Sequence, residues 1–178
     1  GETINASIGQ GYMLSSPMEL VTMMSRLANE KYAVEPTFLF NANKSFKKLN
    51  LNLKHLSYIK NAMINVVNNK YGTAFNSKLE RSNIMMAGKT GTVQVVRITE
   101  EEREKGIIKN EDRIWKKRDH ALFVGYAPTD RPRYSICVVV EHGGSGSSMA
   151  APIAKDIMNK IFTWSLYNAY QQKKTIFQ

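Results

Sequence analysis

The sequence has 178 residues, 43% hydrophobic and 22% charged, which suits one globular domain or part of a larger one and does not indicate disorder. Lys and Arg number 25 against 15 acidic residues, giving a formal charge of +10 and a pI near 9.7. That surplus fits a solvated lysine-rich surface first, and attraction to an anionic polymer, lipid or nucleic acid second. No run approaches the roughly 18 apolar residues of a membrane span, and no charged-then-apolar leader opens the chain.

From Gly1 to Ser15 the mixture of isolated apolar residues with Gly9 and Gly11 predicts loop or short extended structure. Ser16-Pro17-Met18-Glu19 is a helix start. Serine caps, proline fits the first turn, and the glutamate three residues on completes a capping box. Leu20, Val21, Met24, Leu27 and Ala28 carry that helix to about Asn29, and Pro36 forbids much continuation. Residues 37–49 are irregular. Leu53, Leu56, Ile59, Met63, Val66 and Val67 predict a second helix over 51–69, with Gly72 as a stop just past its end.

Ile84 to Val96 reads as a strand with small residues in its middle, followed by a charged, solvated excursion from Arg97 to Asp119. Ala121–Tyr126 and Tyr134–Val140 read as strands joined by the turn-forming Ala127-Pro128-Thr129-Asp130-Arg131-Pro132-Arg133. The loop Gly143-Gly144-Ser145-Gly146 leads into a last helix whose apolar spacing is Ile153, Ile157, Ile161 and Trp164. The order of elements predicts an α+β fold: a three-stranded antiparallel meander with amphipathic helices covering it.

Cys137, the single cysteine, excludes an internal disulfide; its setting, Ile136-Cys137-Val138-Val139-Val140, is that of a small buried hydrophobe. The three histidines read as structural: His55 on the polar side of its helix, His120 at the start of a strand, His142 at the end of one. Their spacing is not that of metal ligands, so neither a metal nor a cofactor is expected.

The densest chemical signal is Ala87-Gly88-Lys89-Thr90-Gly91-Thr92. A strand of small residues lets a ligand approach the backbone of Gly91, Lys89 supplies positive charge, and period-two alternation puts Thr90 and Thr92 on one face. An ammonium with two hydroxyls suits a carboxylate, through charge-assisted hydrogen bonds. At a sheet edge the same strand pairs with an extended peptide. Lysine-threonine-glycine alone recurs by chance. It also stands with serine-x-x-lysine and serine-aspartate-asparagine among the motifs of serine β-lactamases and penicillin-binding proteins.

Four stretches in order extend the signal: Ser7-Ile8-Gly9-Gln10-Gly11-Tyr12 with Ser16-Pro17-Met18-Glu19-Leu20; Ala87 to Gln94; Asp119 to Pro128; and Gly143-Gly144-Ser145-Gly146 before Ala150-Ala151-Pro152-Ile153. On these the chain closely resembles the class B penicillin-binding proteins of the elongation type. The match covers most of the chain and is weakest from Phe38 to Leu49. The resemblance implies that residues 1–178 are the C-terminal portion of a transpeptidase domain of the serine β-lactamase and transpeptidase-like fold. It implies that Lys89 holds the acid-base network and the ligand carboxylate. Thr90 and Thr92 bind that carboxylate beside Gly91, and the Thr92 N–H is half of the oxyanion hole.

The family's nucleophile lies in serine-x-x-lysine. Two literal matches occur, Ser45-Phe46-Lys47-Lys48 and Ser57-Tyr58-Ile59-Lys60, and neither has the expected buried helix start. Serine-x-asparagine is absent, so no nucleophile is assigned within the chain. Gly1 then reads as an internal cut, with the nucleophile segment and a membrane helix before it.

For the intact protein the resemblance implies a peptidoglycan D,D-transpeptidase, anchored in the bacterial inner membrane with a periplasmic catalytic domain. It would cross-link stem peptides by serine acyl transfer, bind β-lactam antibiotics, and work with the cell-wall elongation machinery. The chain alone is expected to be soluble and inactive. Carboxypeptidase or β-lactamase activity on the same fold is the alternative. A basic non-enzymatic binding module is the alternative of another class, although no interleaved aromatic-basic pattern points to nucleic acid. The family's central sheet has five strands, so a three-stranded piece is expected to hide its exposed edge and face by self-association or by rearrangement of its helices.

Overall fold

The computed structural model describes residues 2–7, 14–39, 45–81, 83–96, 98, 100–106 and 108–176. The resemblance stretch at residues 8–12 therefore lies outside the described residues. The chain opens with a short helix α1 (Glu2–Ser7) where loop or extended structure is expected. Gly9 and Gly11, which suggest that loop, follow the helix in sequence and lie outside the described residues.

Helix α2 (Pro17–Asn29) starts at the predicted residue. The Ser16 hydroxyl accepts from the Glu19 N–H while the Ser16 N–H donates to the Glu19 carboxylate at 2.7 Å, completing the capping box. These bonds hold the Glu19 carboxyl below its ordinary pKa. Beyond the last turn Glu30 takes a left-handed conformation, φ 67°, and its N–H donates to the Arg26 carbonyl.

Helix α3 (Leu53–Asn68) is capped by Asn52, whose side chain accepts from the Lys54 and His55 N–H groups. Leu56, Met63 and Val67 form its buried face, whereas Leu53 in the first turn and Ile59 at the border of the stripe are exposed.

Strands β1 (Ala87–Val93), β2 (His120–Ala127) and β3 (Tyr134–Val140) form one antiparallel sheet in the order β1-β2-β3, the predicted meander in an α+β setting. β1 is shorter than the predicted strand because pairing with β2 begins at Ala87↔Tyr126 and ends at Val93↔His120. The register sets Lys89 opposite Val124 and Cys137, and Thr90 opposite Phe123 and Val138. One face carries Ala87, Val124 and Tyr126 against Met24 and Ala28 of α2 and Met63 of α3. Cys137 packs at the edge of this cluster, and partial burial raises its thiol pKa.

The other face carries Ala121 and Phe123 against the last helix, α5 (Ala151–Ile176), reached through a single π turn at Gly146–Ala150. Here the predicted stripe is corrected. Ala151, Ala154, Met158 and Phe162 are buried and Ile161 packs partly buried against them, while Ile153, Ile157 and Trp164 are exposed. The alanines let α5 lie close to the sheet, which turns the bulkier isoleucines outward. Both sheet faces thus carry helices, and β1 and β3 are the two sheet edges.

The charged excursion is not wholly irregular. It contains α4 (Glu100–Lys105), with no buried residue, and two single 3-10 turns at Asn110–Asp112 and Trp115–Lys117. Arg113 pairs with Glu102 at 3.2 Å and ties the two halves of the excursion together.

Candidate active site

β1 presents its chemistry from a sheet edge, since β2 is its one strand partner among the described residues. Backbone groups on its other side are outside any ladder; α3 packs along the start of the strand, where Ala87 and Gly88 are buried, and exposure begins at Lys89. Alternation separates the lysine from the threonines. Lys89 shares the face of Val124, and Thr90 and Thr92 share the face of Phe123 and Ala121, so the two hydroxyls project together as the pattern predicts.

Lys89 is solvent-exposed, and its stem curls back so that Nζ donates to the Thr90 carbonyl at 2.6 Å. The ammonium therefore sits at the edge beside Thr90 and reaches round the strand. Thr90 is half-buried, Thr92 is exposed, and Gly91 between them carries no side chain to block approach to the backbone. An ammonium and two hydroxyls on an unpaired strand edge within four consecutive residues suit a carboxylate.

The Gly143–Gly146 loop lies directly behind this strand. A Cβ on Gly146 would sit 2.4 Å from the Gly91 carbonyl oxygen and 2.3 Å from that of Leu122, so only glycine permits this approach. The loop is held by the root of the charged excursion. Asp119 is its centre: its carboxylate accepts from the Val95 N–H, its N–H donates to the Asn110 side chain at 2.9 Å, and its carbonyl accepts from the Gly144 N–H at 2.8 Å.

Two histidines complete the joint. The His142 N–H donates to His120 Nδ1 at 2.8 Å, and His142 Nδ1 meets the Arg118 carbonyl at 3.0 Å. The two imidazoles lie 4.7 Å apart, and Trp115 packs 4.5 Å from His142. Their structural reading stands, but that they meet each other was not readable from positions 22 residues apart. The strand register brings them together. Among the described residues no cluster of three His, Cys, Asp or Glu is placed to hold a metal.

The two serine-x-x-lysine matches remain outside any catalytic setting. Ser45 is exposed and lies outside the helices. Ser57 is exposed on α3, and Lys60, the lysine that would activate it, forms an ion pair with Glu30 and lies 5.8 Å from the centre of the Tyr126 ring. The residue that sequence reading missed is Thr73, whose hydroxyl meets that of Thr90 at 3.0 Å.

Comparison with known proteins bears on this arrangement. A curated relative named peptidoglycan D,D-transpeptidase MrdA from Haemophilus influenzae is 32% identical across 100% of this chain and 29% of its own length. The protein of the same name from Acinetobacter baumannii is 35% identical over 86% of the chain and 24% of its length. Among solved structures, a complex between PBP2 and MreC from Helicobacter pylori superposes with a TM-score of 0.76 at 31% identity, covering 92% of this chain and 28% of that one. Pseudomonas aeruginosa PBP2 in complex with WCK 5153 gives 0.65 at 31% identity, covering 89% and 32%. The chain thus spans less than a third of the length of each of these relatives. The family described as penicillin binding protein transpeptidase domain matches residues 2–159, and the chain belongs to that family.

Proposed function

We propose that this chain is the C-terminal, ligand-cradling portion of a peptidoglycan D,D-transpeptidase domain. The single observation that carries the reading is the open edge β1, with Lys89, Thr90, Gly91 and Thr92 in a chain of this family. In the intact enzyme a serine outside this chain attacks the penultimate D-Ala carbonyl of a stem peptide and expels the terminal D-Ala. An amine of a neighbouring strand then takes the acyl group. Thr90 and Thr92 hold the terminal carboxylate, and Lys89 supplies positive charge between that carboxylate and the nucleophile. The Thr92 N–H supports the oxyanion of the tetrahedral intermediate, an interaction typically worth about 3–4 kcal/mol when present.

Binding of β-lactams follows from the same groups, because a β-lactam offers a carboxylate and a strained acyl centre in the same relation. Inner-membrane anchoring and periplasmic exposure belong to the intact protein in this reading; among the described residues no helix is long and apolar enough to cross a membrane. The Helicobacter pylori relative is a complex with MreC, which supports an elongation-type partner for the intact protein.

The test is product analysis with the longer gene product and a disaccharide-pentapeptide substrate. Cross-linked dimers carrying one fewer D-Ala support transpeptidation. Free D-Ala without dimers would replace it with carboxypeptidase activity.

A further inference from the structure

Thr90 has one hydroxyl hydrogen. If it donates that hydrogen to a ligand carboxylate, its oxygen is left to accept from elsewhere. The structure supplies that donor in Thr73, whose Oγ1 lies 3.0 Å from Thr90 Oγ1. We infer that Thr73 is a positioning residue, directing the Thr90 hydroxyl hydrogen toward the carboxylate of a peptide ligand. The inference rests on the reading of β1 as a carboxylate cradle.

The placement of Thr73 is built into the fold. After α3 the chain folds back over its own last turn, where the Gly72 N–H donates to the Asn69 carbonyl and the Ala74 N–H donates to the Val66 carbonyl at 3.0 Å. A Cβ on Gly72 would stand 2.3 Å from the Val66 carbonyl oxygen, so this return needs glycine. Ala74 is buried in the core and fixes the far side of Thr73. The end of α3 is tied to the approach of β1, because the Asn68 side-chain amide donates both to the Ile64 carbonyl and to the Met86 carbonyl at 2.9 Å. Thr73 is thereby held between two anchored residues, with its side chain at the open edge of β1.

Thr90 is constrained at a second point, since its carbonyl accepts from Lys89 Nζ at 2.6 Å. Without ligand, the hydroxyl pair can run in either direction. A bound carboxylate accepts only, so it selects the order in which Thr73 donates to Thr90 and Thr90 donates to the ligand. Each bond in such a chain polarises the next. Valine at position 73 keeps the shape and removes the donor; serine keeps the donor.

The experiment is an NMR titration of this chain with N-acetyl-D-alanyl-D-alanine and with the C-terminal amide of the same dipeptide, following the Thr90, Gly91 and Thr92 amides. The parent is expected to bind the acid and not the amide. Thr73→Val is expected to weaken binding of the acid about fivefold, and Thr73→Ser to stay within about twofold of the parent. Thermal unfolding of both variants checks that the fold is kept. Equal affinity of the acid for parent and folded Thr73→Val would overturn the role of Thr73 while leaving the cradle intact. A parent that shows no preference for acid over amide would overturn the cradle and this inference together.

Discussion

Gly146 rests against the backbone of Gly91: the two come so close that a single methyl on Gly146 would overlap the Gly91 carbonyl, 2.4 Å away. The contact links the Gly-rich loop to the middle of the motif strand, so the loop is a template for the conformation of Gly91 and Thr92. Gly146→Ala is expected to destabilise the chain by about 1–3 kcal/mol, as overpacking against unyielding backbone does, and to shift the Gly91 and Thr92 amides. Chemical denaturation and amide spectra check this. Unchanged stability with unchanged spectra would mean that the loop does not brace the strand.

Asp119 anchors that loop from the other side, through Val95, Asn110 and Gly144. Asp119→Ala removes the acceptor for Val95 but leaves the two backbone bonds. The expected effect is faster hydrogen exchange at Val95 and in the flanking excursion, with the β2–β3 ladder still protected.

Tyr126 gives a pH dependence with a definite sign. Its side chain is fully buried, and its hydroxyl has no hydrogen-bond partner among the described residues. Burial, and then the nearby Glu30 carboxylate, push its pKa up to about 12 from 10.0. Folding therefore favours the protonated phenol. Its contribution is fully present below pH 10, where the unfolded chain is also protonated, and is lost as pH rises from about 10 to about 12. Tyr126→Phe removes an unsatisfied hydroxyl without changing the ring. It is expected to hold or raise stability at pH 7 and to flatten the decline between pH 10 and 12, measured by denaturant unfolding across that range.

The capping box predicts an acid effect of the opposite sense. The Glu19 pKa is lowered mainly by the Ser16 backbone bond, so this contribution is present at neutral pH and fades as pH falls through the depressed value. Ser16→Ala should lower the melting temperature by about 2–4 °C at pH 7 and by less in acid.

The open edge of β3 carries Tyr134-Ser135-Ile136-Cys137-Val138-Val139-Val140, without a charge, a proline or a bulge. Such an edge pairs readily with a second copy of itself. The chain is expected to self-associate with rising concentration in sedimentation velocity, and Val139→Lys, at a position already 40% exposed, to suppress it. A parent that stays monomeric across the range would contradict this.

How far the fold was legible depended on whether a local rule governed the element. The start of α2 followed from Ser16, Pro17 and Glu19 because a capping box is local chemistry. The meander followed from the β-rich runs and the short turn between Ala127 and Tyr134. The buried face of α5 was misread. Hydrophobicity picks Ile153 and Ile157, whereas contact with the sheet selects Ala151 and Ala154 by size, and size complementarity is a tertiary property. In the site, the shared face of Thr90 and Thr92 followed from strand alternation. The separate face of Lys89 follows from the same rule, but its curl to the Thr90 carbonyl does not. Thr73 and the His120–His142 joint depend on distant segments meeting, which no local pattern encodes.

The most direct test is labelling with fluorescent penicillin, comparing this chain with the full transpeptidase proposed to contain it. No stable covalent adduct is expected on the chain alone, whereas the full protein is expected to be labelled and its Lys89→Ala variant to lose most of that labelling. A stable adduct on these 178 residues would contradict the proposal that the nucleophile lies outside them, and undiminished labelling of the Lys89→Ala protein would contradict the role proposed for β1.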